Sequence, residues 1–63
     1  MTVNRISNNE FSVSMTRDEL IALGNCLNKV CNGIELFEFE TRVGASREEV
    51  GRMLDKILVA QQV

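Results

Sequence analysis

Between Glu10 and Met15 the chain alternates: Phe11, Val13 and Met15 are apolar, and Glu10, Ser12 and Ser14 between them are polar. A strand turns alternate side chains to one face, so this stretch reads as a β-strand with one buried side. The preceding VNRISNNE offers a second strand, with Asn8 and Asn9 in a turn where asparagine's tolerance of left-handed backbone angles would close a hairpin. A frayed tail fits the same residues.

From Thr16 the period changes. TRDE has the form of a capping box, in which Thr16 satisfies free amides of a first helical turn and Glu19 reaches back to the amide of Thr16. Met15 and Leu20 stand where a hydrophobic staple would sit. Leu20, Leu23, Leu27, Val30 and Ile34 then recur at three- and four-residue steps, a narrow apolar seam suited to packing on another helix. The helix is expected to stop at Asn32-Gly33, with Gly33 in a left-handed cap and Ile34 folding back behind it. SREE repeats the grammar: Ser46 caps, Glu49 reciprocates, Arg47 to about Gln61 forms the body, and Val50, Met53, Leu54, Ile57 and Leu58 form the inner face. Gly24 and Gly51 lie inside these helices, each costing about 1 kcal/mol against alanine unless another backbone approaches there.

The segment between them, ELFEFETRVGA, satisfies both periods. Phe37, Phe39, Thr41 and Val43 alternate as in a strand, while Leu36, Phe39 and Val43 fall at helical spacing. A short helix ending at Gly44 is favoured, with an edge strand close behind. The expected fold is therefore mainly α and a single domain over residues 1–63: an N-terminal strand or hairpin, two main helices at about 16–32 and 46–61, and a short helix or edge strand between them.

Composition narrows the function. A chain of 63 residues leaves much of its surface wet, and small domains compensate with disulfides, a metal or a partner. Cys26 and Cys31 sit five apart on one helix and point away from each other, which suits reduced thiols in the cytoplasm. Histidine is absent and no zinc spacing occurs, so no metal or other cofactor is expected. Self-association as a homodimer, or a different protein partner, remains. No apolar run is long enough for a membrane span. The formal charge of −2 tilts the partner away from nucleic acid and toward protein.

Read as helical, FEFETRVGASREEVGRML, Phe37 to Leu54, resembles the helix-turn-helix family. Phe39, Val43, Gly44, Val50 and Met53 fall where that motif places its apolar contacts and its turn glycine. The resemblance implies a small dimeric DNA-binding regulator, with Arg47 and Arg52 facing phosphates or guanine. Two features depart from it. The family has a small residue four places before the turn glycine, where this chain has Glu40, and Glu48 and Glu49 beside the arginines would be repelled by the DNA backbone.

Enzyme chemistry finds few reagents. Histidine and tyrosine are missing, no glycine-rich phosphate loop occurs, and both cysteines lie mid to late in a helix whose dipole opposes thiolate formation. Surface chemistry is what remains. Glu35, Glu38, Glu40, Glu48 and Glu49 crowd the second half of the chain near Phe37 and Phe39, and acidic groups around an aromatic anchor make a docking face for a basic protein. The competing reading places at least one of the two phenylalanines in the core.

LGNCLNKVCNGIELFEFETRVGASREEVGRMLDKI is also similar to a type of short bacterial protein in which an LNxVCNGI helix leads into FETRxGxSREE. That resemblance implies an immunity or inhibitor protein, not an enzyme, that neutralises a toxin by stoichiometric binding. The resemblance carries over no individual site residue; it is the acidic and aromatic surface described above that makes Phe37, Glu38, Phe39, Glu40, Glu48 and Glu49 the candidate partner-binding residues.

Overall fold

The structure is a computed structural model that describes residues 1–33 and 35–62. The chain opens with an antiparallel hairpin, β1 (Thr2–Ser7) and β2 (Glu10–Ser14), so the N-terminal segment is a strand. Pairing sets Val3 opposite Val13 and Arg5 opposite Phe11 on one face, and Thr2 opposite Ser14 and Asn4 opposite Ser12 on the other. Neither turn asparagine takes a left-handed angle, contrary to the expectation for Asn8 and Asn9. A two-residue turn without positive φ would splay the strands, and the register shift that leaves Ile6 unpaired between Arg5 and Ser7 supplies the missing twist. The turn is held by side chains: Arg5 Nη2 donates to Asn8 Oδ1 at 3.0 Å, and the Asn9 amide donates to Ser7 Oγ at 3.3 Å.

Helix α1 (Arg17–Asn28) starts at the expected capping box. The Glu19 amide donates to Thr16 Oγ1 at 3.2 Å, and the Thr16 amide donates to Glu19 Oε1 at 2.9 Å. The helix does not end at a left-handed glycine. Lys29–Gly33 continue it as a π-helical turn, and Gly33 has no positive φ. The follower Ile34 lies outside the described residues. A π turn holds an extra residue per turn, so it shifts the apolar face: Cys31 is buried and Val30 only half-buried. A short helix, α2 (Phe39–Val43), fills the ambiguous middle and ends at Gly44, whose φ of 90° a side chain would strain. Helix α3 (Arg47–Gln61) begins at the second capping box, with the Glu49 amide donating to Ser46 Oγ at 3.1 Å.

α3 packs on α1 in the opposite direction. Arg17 Nη1 donates to the Gln61 carbonyl at 3.0 Å, Gln61 Nε2 donates to the Leu20 carbonyl at 3.3 Å, and Arg47 at the other end of α3 reaches Cys31. The seams are narrower than the sequence pattern. On α1 the inward line is Leu20, Gly24 and Leu27, continued by Cys31 in the π turn; on α3 it is Val50, Leu54, Ile57 and Gln61. Leu23, Met53 and Leu58, expected inside, are exposed. Two thin helices in contact cover only one stripe of each other, and among the described residues the flanks stay open: Leu23 faces the hairpin across an open groove. Cys31, Phe39 and Val50 form the centre of the core, with Leu27, Val30, Leu36 and Ala45 around them. Leu54 is buried beyond it, and truncation to alanine there is expected to cost about 2–5 kcal/mol. No hairpin residue is buried. Among the described residues, no helix is long and apolar enough to cross a membrane.

Candidate functional site

The segment leading into α2 separates two aromatic side chains that strand spacing would place on one face. Glu38 between them has φ 54° and ψ 50°, a left-handed conformation that its Cβ opposes. This residue turns the chain so that Phe39 is buried, at 8% exposure, and Phe37 stands out, at 77%. Leu36 packs inward against the core on the preceding residue. Phe39 is thus a core residue and offers no surface to a partner, whereas Phe37 does. Strain of this kind persists only where the surroundings determine it: the Glu38 carbonyl accepts from the Arg42 amide at 3.1 Å, and α2 closes with the Gly44 amide on the Glu40 carbonyl at 2.8 Å.

The glutamates divide into two groups. Glu38 and Glu40 flank Phe39 and are exposed, and Glu35 is exposed just upstream; Glu48 and Glu49 lie in the first turn of α3. The side chains of Glu38, Glu40 and Glu48 make no hydrogen bond or ion pair among the described residues. Their charge therefore faces water. Glu49 is occupied, because its Oε1 accepts from the Ser46 amide at 3.3 Å. That backbone bond, then the Ser46 hydroxyl and more distantly the charge of Arg52, hold the Glu49 carboxyl below its ordinary value. Glu40, at the position where the helix-turn-helix pattern wants a small residue, points outward.

Arg47 and Arg52 have different surroundings. Arg47 lies with its guanidinium 4.5 Å from the centroid of the Phe39 ring and donates through Nη1 to the Cys31 carbonyl at 2.6 Å. The acceptor is one of the carbonyls that a helix leaves unpaired at its C-terminal end, and a cation there also meets the negative end of the helix dipole. This internal role was not legible in the sequence, where Arg47 stood only as a candidate for DNA. Arg52 is exposed on the following turn.

Cys31 is buried and Cys26 exposed, and both are free thiols. Among the described residues, no group of three or more histidine, cysteine, aspartate or glutamate side chains is placed to hold a metal ion. A second surface feature was also not anticipated: Met1, Val3, Val13 and Met15 of the hairpin, with Glu19, Ala22 and Leu23 of α1, line an open groove of about 450 Å³. Its signal was present in the sequence, since Phe11, Val13 and Met15 alternate with polar residues and Val3 pairs with Val13, although among the described residues no other sheet covers them. No family model, curated protein or solved structure matches the chain.

Proposed function

We propose that the chain is a non-enzymatic protein-binding module, most concretely an immunity or inhibitor protein that neutralises a basic toxin by stoichiometric binding. The observation that carries this reading is Phe37, a large aromatic held at 77% exposure by a strained residue instead of being folded into a core that is short of large side chains. Glu38, Glu40 and Glu48, with no internal partner among the described residues, supply a negative field that steers a cationic surface toward that anchor. Glu49 contributes its charge from the helix cap. The reading places the chain in the cytoplasm, where Cys26 and Cys31 stay reduced.

The DNA-binding alternative draws less support. Of its two arginines, Arg47 is engaged with Phe39 and Cys31, which leaves Arg52 among exposed carboxylates. Association kinetics separate the readings. With the partner isolated on the immobilised chain, Glu38→Lys/Glu40→Lys is expected to slow association about tenfold at low salt and to leave dissociation nearly unchanged. Unchanged association would remove the acidic face from the account, and retention of the native chain on duplex DNA or heparin at low salt would favour the regulator.

A further inference from the structure

The hairpin carries an uncovered apolar surface. Met1, Val3, Phe11 and Val13 lie on one face of it, each between 51% and 71% exposed, and the face continues into the groove against Ala22 and Leu23 of α1. A two-stranded hairpin is marginal in water without something packed on its apolar side. Glu19 is the one charged residue lining the groove, and it is met by the amino terminus of Met1 at 2.9 Å. A basic partner would find no open carboxylate on this wall.

The chain is also more open than a compact monomer of its size. The chain exposes 5119 Å², whereas a compact monomer of its 7.1 kDa exposes about 4,100 Å². Its radius of gyration is 12.8 Å against roughly 10.6 Å for a compact chain of this length. It is a slab of 32 × 30 × 16 Å. The excess surface, roughly 1,000 Å², is close to the ~800 Å² that each partner contributes to a stable interface of standard size.

We infer that a second copy of this chain covers this face, in a two-fold dimer in which Phe11 of each protomer enters the other's groove. Phe11 stands two register pairs beyond Val3 and Val13, paired with Arg5, on the same side of the sheet as the groove and outside it. One patch thus holds both a projecting ring and an apolar recess. A two-fold rotation matches ring to recess twice and closes the assembly, as an isologous interface requires. The groove end of the contact is apolar. Arg5, paired with Phe11 on the same face, stands at its edge and is held toward the turn by its bonds to Asn8 and the Ser7 carbonyl. Two chains of net charge −2 therefore meet without opposed carboxylates at the centre. This inference is independent of Phe37 and leaves that side chain to another partner.

Sedimentation equilibrium of the full chain tests the inference. The expected mass is twice 7.1 kDa, and Phe11→Glu is expected to raise the dissociation constant by at least about thirtyfold while Phe37→Glu leaves it unchanged. Because Phe11→Glu can also weaken the hairpin itself, a mixed sample of isotope-labelled and unlabelled native chain supplies the second measurement. Nuclear Overhauser contacts between Phe11 ring protons of one copy and Leu23 or Met15 methyl groups of the other are expected. A monomer up to millimolar concentration would overturn the inference, as would a dimer whose intermolecular contacts fall on Phe37 or on Met53 and Leu58.

Discussion

The guanidinium of Arg47 lies over the ring of Phe39, 4.5 Å from its centroid, and so joins the start of α3 to the start of α2. The same group donates to Cys31 at the end of the π turn, so one side chain ties three elements together. Arg47→Ala is expected to cost about 2 kcal/mol, from a charged hydrogen bond and a partly exposed cation–π contact. Lysine cannot stack and donate to the carbonyl at once, so Arg47→Lys should recover less than half of it. A domain of this size holds only about 3–9 kcal/mol in all, which makes the loss easy to read as a lower urea midpoint at unchanged slope. An unchanged midpoint would show that the contact carries no stability.

Gly24 and Gly51 should respond differently to alanine. A Cβ on Gly24 would lie 2.7 Å from Gln61 Nε2 and 3.3 Å from Ile57 Cγ2, displacing the hydrogen bond from Gln61 to Leu20. The helix-propensity gain of about 1 kcal/mol is then offset by the lost bond, and Gly24→Ala should leave stability near its starting value. Gly51 meets nothing within 4 Å, so Gly51→Ala should raise stability by about 1 kcal/mol. Thermal unfolding of the two variants, measured side by side, checks the ordering; equal gains would contradict the close approach at Gly24.

Glu38 stores strain that glycine would release. Left-handed backbone costs a residue with a Cβ about 1–2 kcal/mol, part of which glycine returns as unfolded-state entropy, so Glu38→Gly should stabilise the fold by about 0.5–1 kcal/mol. Glu38→Val should destabilise it, because branching at Cβ makes the same angles worse. Chemical denaturation of both variants reads the sign directly. Stabilisation by valine would mean that the turn before α2 is not left-handed in solution.

Acid should weaken both capping boxes. Glu19 is held below its ordinary value, first by the Thr16 amide and then by the amino terminus, and Glu49 first by the Ser46 amide. A lowered folded-state value means that the stabilisation is complete above the unfolded carboxylate range and fades as pH falls through the folded values. Stability should therefore decline on the acid side of the ordinary carboxylate range. Glutamine keeps an acceptor for the cap but cannot titrate, so Glu19→Gln/Glu49→Gln should flatten that decline in a pH series of unfolding midpoints. An equally steep decline in the variant would assign it to other carboxylates.

Local chemistry was legible, and geometry set by distant segments of the chain was not. The capping boxes at Thr16 and Ser46 could be read because each is closed within four residues, and the alternation around Phe11 and Val13 marked a strand for the same reason. Gly33 misled: a glycine after asparagine at the end of an apolar seam suits a left-handed cap, yet the backbone continues through it in a π turn. Leu23, Met53 and Leu58 were placed inside by periodicity, which gives the angle of a face around one helix but not the width of what covers it. A charged residue at a helix start usually faces outward, and nothing local marks Arg47 as different; only the fold brings Phe39 and the Cys31 carbonyl to it. For Phe37 and Phe39, alternation placed both on one side, and the turn at Glu38 sent them apart.

Phe37 is the proposed anchor of a protein partner on an acidic face. Parallel capture from a native lysate by the immobilised chain and by Phe37→Ala, with the retained material quantified by mass spectrometry, tests it most directly. A basic protein held in fixed proportion to the native chain, and reduced at least about tenfold by Phe37→Ala, is the expected result. Equal retention of that protein by the two chains would contradict the claim.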